Sequence, residues 1–302
     1  MDSKPSISFK VDVCTHDGMR DGVPRLLELF EKHGVKATFC LAFGPDNSGK
    51  AVFHMLRPSF ARKMLKSSAT KLYGWRTMVS GTLLPARPIA SGHPDLVRRI
   101  AAEGHEVSVH AWDHRRWQDH LAHMSEKEIE SHFEQAFDAY EKILHRSPRA
   151  CGAAAWAVTP TSLRLQDGFK LAYSSDLRGG PVCRLRANGD VLETVQIPTT
   201  GRCIEELLTE GLREKTQLEE ALLADLSSAE TAVLAVHAEV EGGPYLDVLD
   251  ELIPKLREAR GEPRTLADIA ASLDPAKVPL RALTHVQIPG RSGEVSTSME
   301  LR

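Results

Sequence analysis

The sequence predicts an α/β fold on a mainly parallel sheet, either open or closed into a barrel. Two observations predict it. Short apolar segments of strand character alternate along the chain with amphipathic helical ones. Ionisable residues also recur at the carboxyl ends of those strands, where α/β folds carry their sites. At 302 residues the chain is long enough to bury a large core, and one barrel-sized domain over residues 1–302 is favoured over two smaller ones.

In the first strand Ile7, Phe9, Val11 and Val13 alternate with polar residues up to Asp12 and Cys14. Gly18 and Gly22 follow, then a helix from 24 to about 33. A second strand, ATFCLAF, ends at Gly44; a helix from about 94 to 103 stops at Gly104, and the strand EVSVH follows. Ser125 and Glu128 form an S-x-x-E capping box for a long amphipathic helix ending near Leu144. Later strands are expected around 171–174 and in VLAVHAEV, with helices near 204–226, 245–260 and 265–273. Residues from about 276 to 302 read as a flexible tail, and no fixed-period repeat or linker divides the chain.

With 42% hydrophobic and 26% charged residues and no low-complexity tract, the composition excludes a disordered chain. The five cysteines, Cys14, Cys40, Cys151, Cys183 and Cys203, are irregularly spaced without a C-x-x-C pair, against a disulfide framework or zinc ribbon. A reducing cytosol fits them. The N-terminus lacks a basic segment followed by a long apolar run, and no stretch approaches the roughly 20 apolar residues that span a bilayer. The net charge of -3 is uneven: from Asn47 to Pro94 there are eight basic residues and no acidic one, leaving -11 elsewhere.

In HAWDH, His110 and His114 are four apart, so a helical turn after the strand would put both imidazoles on one face, able to share a divalent ion. Alone this spacing is weak among thirteen histidines; its place at a strand end strengthens it. Asp113 is a candidate to orient a ligand histidine. Asp12 and Cys14, two apart on an extended strand, point to one side, although a lone Asp after a strand more often caps a turn. In VLAVHAEVEGG, His237 shares a side with Glu239, and core packing does not explain Glu239 and Glu241 in an apolar strand. A general acid with a carboxylate neighbour does, because the carboxylate favours the protonated imidazole.

These segments, FKVDV, HAWDH and LAVH, resemble those of the polysaccharide deacetylases of the NodB-homology fold. Within that superfamily GVPRLLELFEKHGVKATF, GPDN, KLYGW, HEVSVHAWDHRRWQ, CGAAAW, YSSDLRG, VQIP and HAEVEG are similar, in order and spacing, to a branch that deformylates an amino sugar carried on polyprenyl phosphate. The similarity runs from about residue 7 to about 275. It implies a distorted (β/α) barrel with fewer strands than a TIM barrel. It also implies a catalytic base at Asp12, metal ligands at His110 and His114, a general acid at His237 and a supporting carboxylate at Asp176. Arg178, Glu239 and Trp112 are the further candidates for supporting the site or binding substrate. The chain departs from the family where a metal-binding Asp is usual, two after the base: here stands Cys14, and the metal is shared by Cys14, by Asp17 in a shifted register, or by the two histidines and waters alone. A thiolate would favour zinc over harder ions, with manganese or cobalt as alternatives. Trp156 in CGAAAWAVT has no firm place in the family's third motif.

The resemblance implies hydrolysis of a formamide in lipid A modification and polymyxin resistance, on the cytoplasmic face of a Gram-negative inner membrane. A lipid-linked substrate also suits the basic insertion at about 50–90. As a helix from 59 to 72 it would set Phe60 among apolar residues opposite Arg62, Lys63 and Lys66, with Tyr73 and Trp75 following, a pattern for contact with an anionic membrane surface. Lys71 interrupts the apolar side. Nucleic acid is a poorer partner, because the rest of the chain is acidic and no nucleic-acid motif is present. Two other readings stand beside this one: a deacetylase of another amino sugar, and a metal-free barrel acting as a binding module.

Overall fold

In the computed structural model, which describes residues 6–50, 76–289, 291 and 293–301, β1 (Ser6–Val13) lies inside a six-stranded parallel sheet. Helix α1 (Val23–His33), β2 (Thr38–Ala42), α2 (Pro94–Ala102), β3 (Glu106–Ala111), α3 (His114–His120), α4 (Glu126–Leu144), β4 (Ala150–Cys151), α5 (Pro160–Gly168) and β5 (Tyr173–Ser174) follow. Then come β6 (Arg184–Ala187), β7 (Asp190–Val191), α6 (Ile204–Glu210), α7 (Lys215–Ser227), β8 (Thr231–His237), α8 (Leu246–Arg260), α9 (Leu266–Ser272), β9 (Leu280–Gln287) and β10 (Glu294–Met299). The sheet order is β5-β4-β3-β2-β1-β8, and the second sheet runs β10-β9-β6-β7. The parallel sheet runs from β5 to β8, and between these strands the irregular segment 195–200 hydrogen-bonds to Ser174 of β5 on one side and Val233 of β8 on the other, which gives a distorted (β/α) barrel with few strands.

The alternation in β1 explains its central position. Ile7, Phe9, Val11 and Val13 enter the main apolar core with Leu26, Leu27 and Phe30 of α1, where the Phe30 ring lies 5.8 Å from Phe9 and 6.2 Å from Phe39. Helix α1 stops at Gly34, whose left-handed φ of 64° turns its N–H back to the Phe30 and Glu31 carbonyls. The Ser125/Glu128 capping box forms at the start of α4 as expected. Along the other side of β1, Lys10 and Asp12 are fully buried, and the parallel register sets Asp12 beside Cys40 of β2 and His237 of β8. The expected site residues are thereby gathered at the carboxyl edge.

Three expectations are corrected. VLAVHAEV is a strand only as far as His237; the N–H groups of Val240 and Glu241 turn back to the His237 carbonyl, so Glu239 and Glu241 lie in a turn. The helix expected over 204–226 is two, α6 and α7, because Gly211 takes a φ of 103° and ends the first. The tail expected to be flexible instead contains β9 and β10, paired antiparallel, with β9 parallel to β6. Of the basic insertion, Phe60, Arg62, Lys63, Lys66, Tyr73 and Trp75 lie outside the described residues.

The turn into α1 packs tightly on the turn after β8: a Cβ on Gly22 would stand 1.9 Å from the Ala238 carbonyl oxygen. Gly22 has an ordinary helical φ of -76°, so only this contact forbids a side chain. Gly22→Ala is expected to lower unfolding stability by about 1–3 kcal/mol, read as a fall in the urea midpoint at unchanged m-value.

Candidate active site

At the carboxyl edge, Cys14 just beyond β1, His110 in β3 and His114 at the first turn of α3 each offer one ligand atom, all within 4.8 Å of one another. The two imidazole rings are 5.2 Å apart. His110 Nδ1 lies 2.6 Å from the Gly152 carbonyl, so it carries the proton and donates, leaving Nε2 with its lone pair. Burial pushes His110 down to about 4, and burial together with His110 pushes His114 well below its ordinary value. Both are neutral near pH 7, the form in which a histidine binds a metal. Burial and the charges of Glu239 and Asp12 push the Cys14 thiol well up, so a cation beside it would be needed to draw off its proton. Asp12 Oδ1 is buried and has no hydrogen-bond partner among the described residues. This donor set fits a soft divalent ion.

Asp12 is held by Lys10, whose Nζ donates to Oδ2 at 3.0 Å, while Oδ1 stands 3.9 Å from His110 Nδ1. Burial alone would raise the Asp12 pKa, but Lys10, His110 and His237 outweigh it and hold the carboxyl low. The Lys10 ammonium also lies 5.6 Å from the centre of the Trp156 ring. Ala155 and Trp156 have left-handed φ of 56° and 50°, strained for residues with a side chain. Asp176 pins this loop: its Oδ1 accepts the Ala153 N–H at 2.8 Å and its Oδ2 accepts from Gln196 at 2.9 Å. The Trp156 indole N–H donates to Thr199 Oγ1 at 3.0 Å.

His237 Nδ1 faces Glu205 Oε1 at 3.1 Å, and the His237 backbone N–H donates to Glu241 Oε2 at 2.7 Å. Burial alone would lower the His237 pKa, but Glu205 first, then Glu241 and Asp12, raise it to about 10. The carboxylate expected beside His237 was Glu239; the structure puts Glu205 there, because the strand ends at His237 and the alternation that paired Glu239 with it does not continue. Glu239 sits against Thr15 and Gly18, where a Cβ on Gly18 would meet its Oε2 at 2.7 Å. Burial raises Glu239 to about 7.

Asp17 is not in the ligand group: it pairs with Arg87 at 2.9 Å and Arg20 at 3.2 Å. Asp113 caps α3 by accepting the Arg116 N–H and accepts from Asn47 at 2.6 Å, so the orienting partner of His110 is the Gly152 carbonyl instead. Trp112 packs on Gly44, where a Cβ would lie 2.6 Å from the Trp112 carbonyl oxygen. Arg178 donates to Glu206 at 2.7 Å and to the Thr200 carbonyl at 3.1 Å. Sequence reasoning missed Lys10, Glu205 and Arg291. Lys10 had a signal, a lysine inside an apolar strand on the side of Asp12. Glu205 and Arg291 had none, being brought in from α6 and from the β9–β10 connection.

The chain belongs to the polysaccharide deacetylase family, which residues 3–167, more than half of it, match. It is a hydrolase acting on amide bonds. It is 30% identical over 290 residues to the probable 4-deoxy-4-formamido-L-arabinose-phosphoundecaprenol deformylase of Shewanella sediminis, covering 96% of this chain and 93% of that one. The protein of the same description from Wigglesworthia glossinidia brevipalpis is 28% identical over 287 residues, covering 94% and 99%. A crystal structure assigned as a polysaccharide deacetylase of Mycobacterium smegmatis has a TM-score of 0.65 at 19% identity, covering 94% of this chain and 96% of that one. A CE4 family pseudoenzyme of Bacillus anthracis has a TM-score of 0.55 at 14% identity, covering 89% and 66%. At these identities the two structures share the fold.

Removing the Glu205 charge takes away what chiefly keeps His237 protonated. Glu205→Gln is expected to shift the alkaline limb of the kcat/KM profile to lower pH by about 1–3 units, since the acid form is then lost earlier as pH rises. An unmoved alkaline limb would separate Glu205 from the group that titrates there.

Proposed function

We propose that the protein hydrolyses the formamide of 4-deoxy-4-formamido-L-arabinose carried on undecaprenyl phosphate, giving formate and the free 4-amino sugar, as a step in lipid A modification linked to polymyxin resistance. One observation carries the chemistry: Asp12 and His237 are register partners on adjacent strands, which sets a buried carboxylate and a carboxylate-paired imidazole side by side at the ligand group. The formyl specificity is supported by the deformylase relatives and their near full-length match.

Cys14, His110 and His114 would hold one divalent ion, zinc by the softness of the thiolate. When bound, that ion supplies polarisation of the formyl oxygen and acidifies water. Asp12, kept ionised by Lys10, takes the proton of the attacking water at its unpartnered Oδ1. His237 Nδ1 is engaged by Glu205, so Nε2 delivers the proton to the departing nitrogen. An amine leaves poorly unless protonated, and the raised His237 pKa keeps the acid form filled at neutral pH. The C–N bond breaks, water oxygen joins the formyl carbon, and the proton count closes on formate and an ammonium sugar. Trp156, edge-on to His237 with ring centres 6.4 Å apart, limits the ring's freedom.

Purified protein is expected to release formate from the formylated lipid-linked sugar and little acetate from the acetylated one; acetate alone would reassign the substrate, and neither would sink the reading. Asp12→Asn and His237→Gln should each lower kcat by about 10²–10⁴. Metal analysis should find near-stoichiometric zinc that falls away in His110→Ala. The basic insertion is proposed to hold the enzyme on the cytoplasmic face of the membrane. Lys63→Glu with Lys66→Glu should weaken flotation with anionic liposomes and leave flotation with neutral ones unchanged.

A further inference from the structure

Arg291, which falls between β9 and β10 and outside the 3–167 family match, reaches into the site. It lies over the Trp156 ring with its guanidinium carbon 4.1 Å from the ring centre. Its Nε donates to Glu206 Oε1 at 2.5 Å and its terminal nitrogen to Cys203 Sγ at 3.2 Å. Cys203 is the residue capping α6, and Glu206 closes that cap by accepting the Cys203 N–H at 3.1 Å. Glu205, one residue earlier than Glu206, is the carboxylate facing His237. The hairpin is anchored beside these contacts: Ser296 Oγ accepts the Val158 N–H at 3.0 Å and the Ser296 carbonyl accepts the Arg178 N–H at 2.8 Å. Val295 packs with Trp156 and Ala235.

We infer that Arg291 is a positioning residue for the hydrolysis, holding the first turn of α6 and the Trp156 ring so that Glu205 and the indole confine His237. Glu205 and Glu206 are adjacent carboxylates within the fold, and two like charges there need two cations. Arg178 and Arg291 each take one oxygen of Glu206, while Glu205 faces His237 within the field of Arg291. The guanidinium suits this position because a planar fork can stack on an indole while donating in its own plane, which an ammonium cannot. Its Nε and one terminal nitrogen are spent on Glu206 and Cys203 at the first turn of α6, which ties its effect to His237 and not to substrate affinity.

The inference rests on the proposed formamide hydrolysis and is tested apart from it. In Arg291→Gln, kcat is expected to fall about 10–100-fold, the size seen when an orienting partner of an active residue is removed, with KM nearly unchanged. A raised KM at unchanged kcat, or no change in either, would overturn it. If Arg291→Gln fails to fold, judged by circular dichroism, Arg291→Lys serves: it keeps the charge without the fork and should lower kcat several-fold, and full activity would overturn the inference. Should the wild type release neither formate nor acetate, the functional reading fails on its own. The positioning is then read from the His237 ring resonances, assigned by their loss in His237→Gln. They should move in Arg291→Gln or Arg291→Lys, and unmoved resonances would overturn it.

Discussion

A fully buried ion pair between Lys10 and Asp12 underlies the whole arrangement at the carboxyl edge of the sheet. Taking two charges out of water costs several kcal/mol per ion, and removing one partner of such a pair typically costs about 3–5 kcal/mol. The interior of the barrel is organised to meet that cost. The ammonium has a carboxylate at 3.0 Å, an indole face at 5.6 Å and the charge of Asp176 nearby. The loop bearing Trp156 must therefore lie close to β1, and the Gly152 that begins it has no room for a side chain: a Cβ there would come within 2.9 Å of Lys10 Cε. That close approach also brings the Gly152 carbonyl to His110, fixing the tautomer that leaves Nε2 unprotonated.

The same logic separates the carboxylates by task. Asp12 stays ionised beside a lysine, Glu205 stays ionised beside a histidine, and Glu206 is shared by two arginines. Glu239 and Glu241, which form no ion pair among the described residues, are pushed up to about 7 and about 8, chiefly by burial. A charged imidazole and a charged carboxylate thus stand on neighbouring strands, each with its own counter-ion and each also favouring the other's charged form. Asp176 does a different job, spending its oxygens on a backbone N–H and a glutamine to hold a strained loop.

How far the site was legible follows from how local each signal is. His110, Asp12 and His237 could be read because each ends a strand whose apolar alternation is visible in a few residues, and strand ends share one edge in any parallel α/β fold. The step from His237 to Glu239 failed because alternation says nothing about where a strand stops; a turn begins one residue later and hands the role to Glu205. The β9–β10 hairpin was hidden for a related reason. Its strands are short of large apolar residues and gain their stability from pairing with each other and with β6, contacts far apart in the chain.

By itself, then, the sequence determined the α/β class, the order of the main strands and helices, the family and the edge on which a histidine pair and an aspartate would meet, since all of these rest on local periodicity and motif spacing. Only the tertiary structure decided which groups become partners: Lys10 for Asp12, the Gly152 carbonyl for His110, Glu205 for His237 and Arg291 for Glu206. Those pairings join residues on different elements, and charge, burial and distance settle them only once the chain has folded.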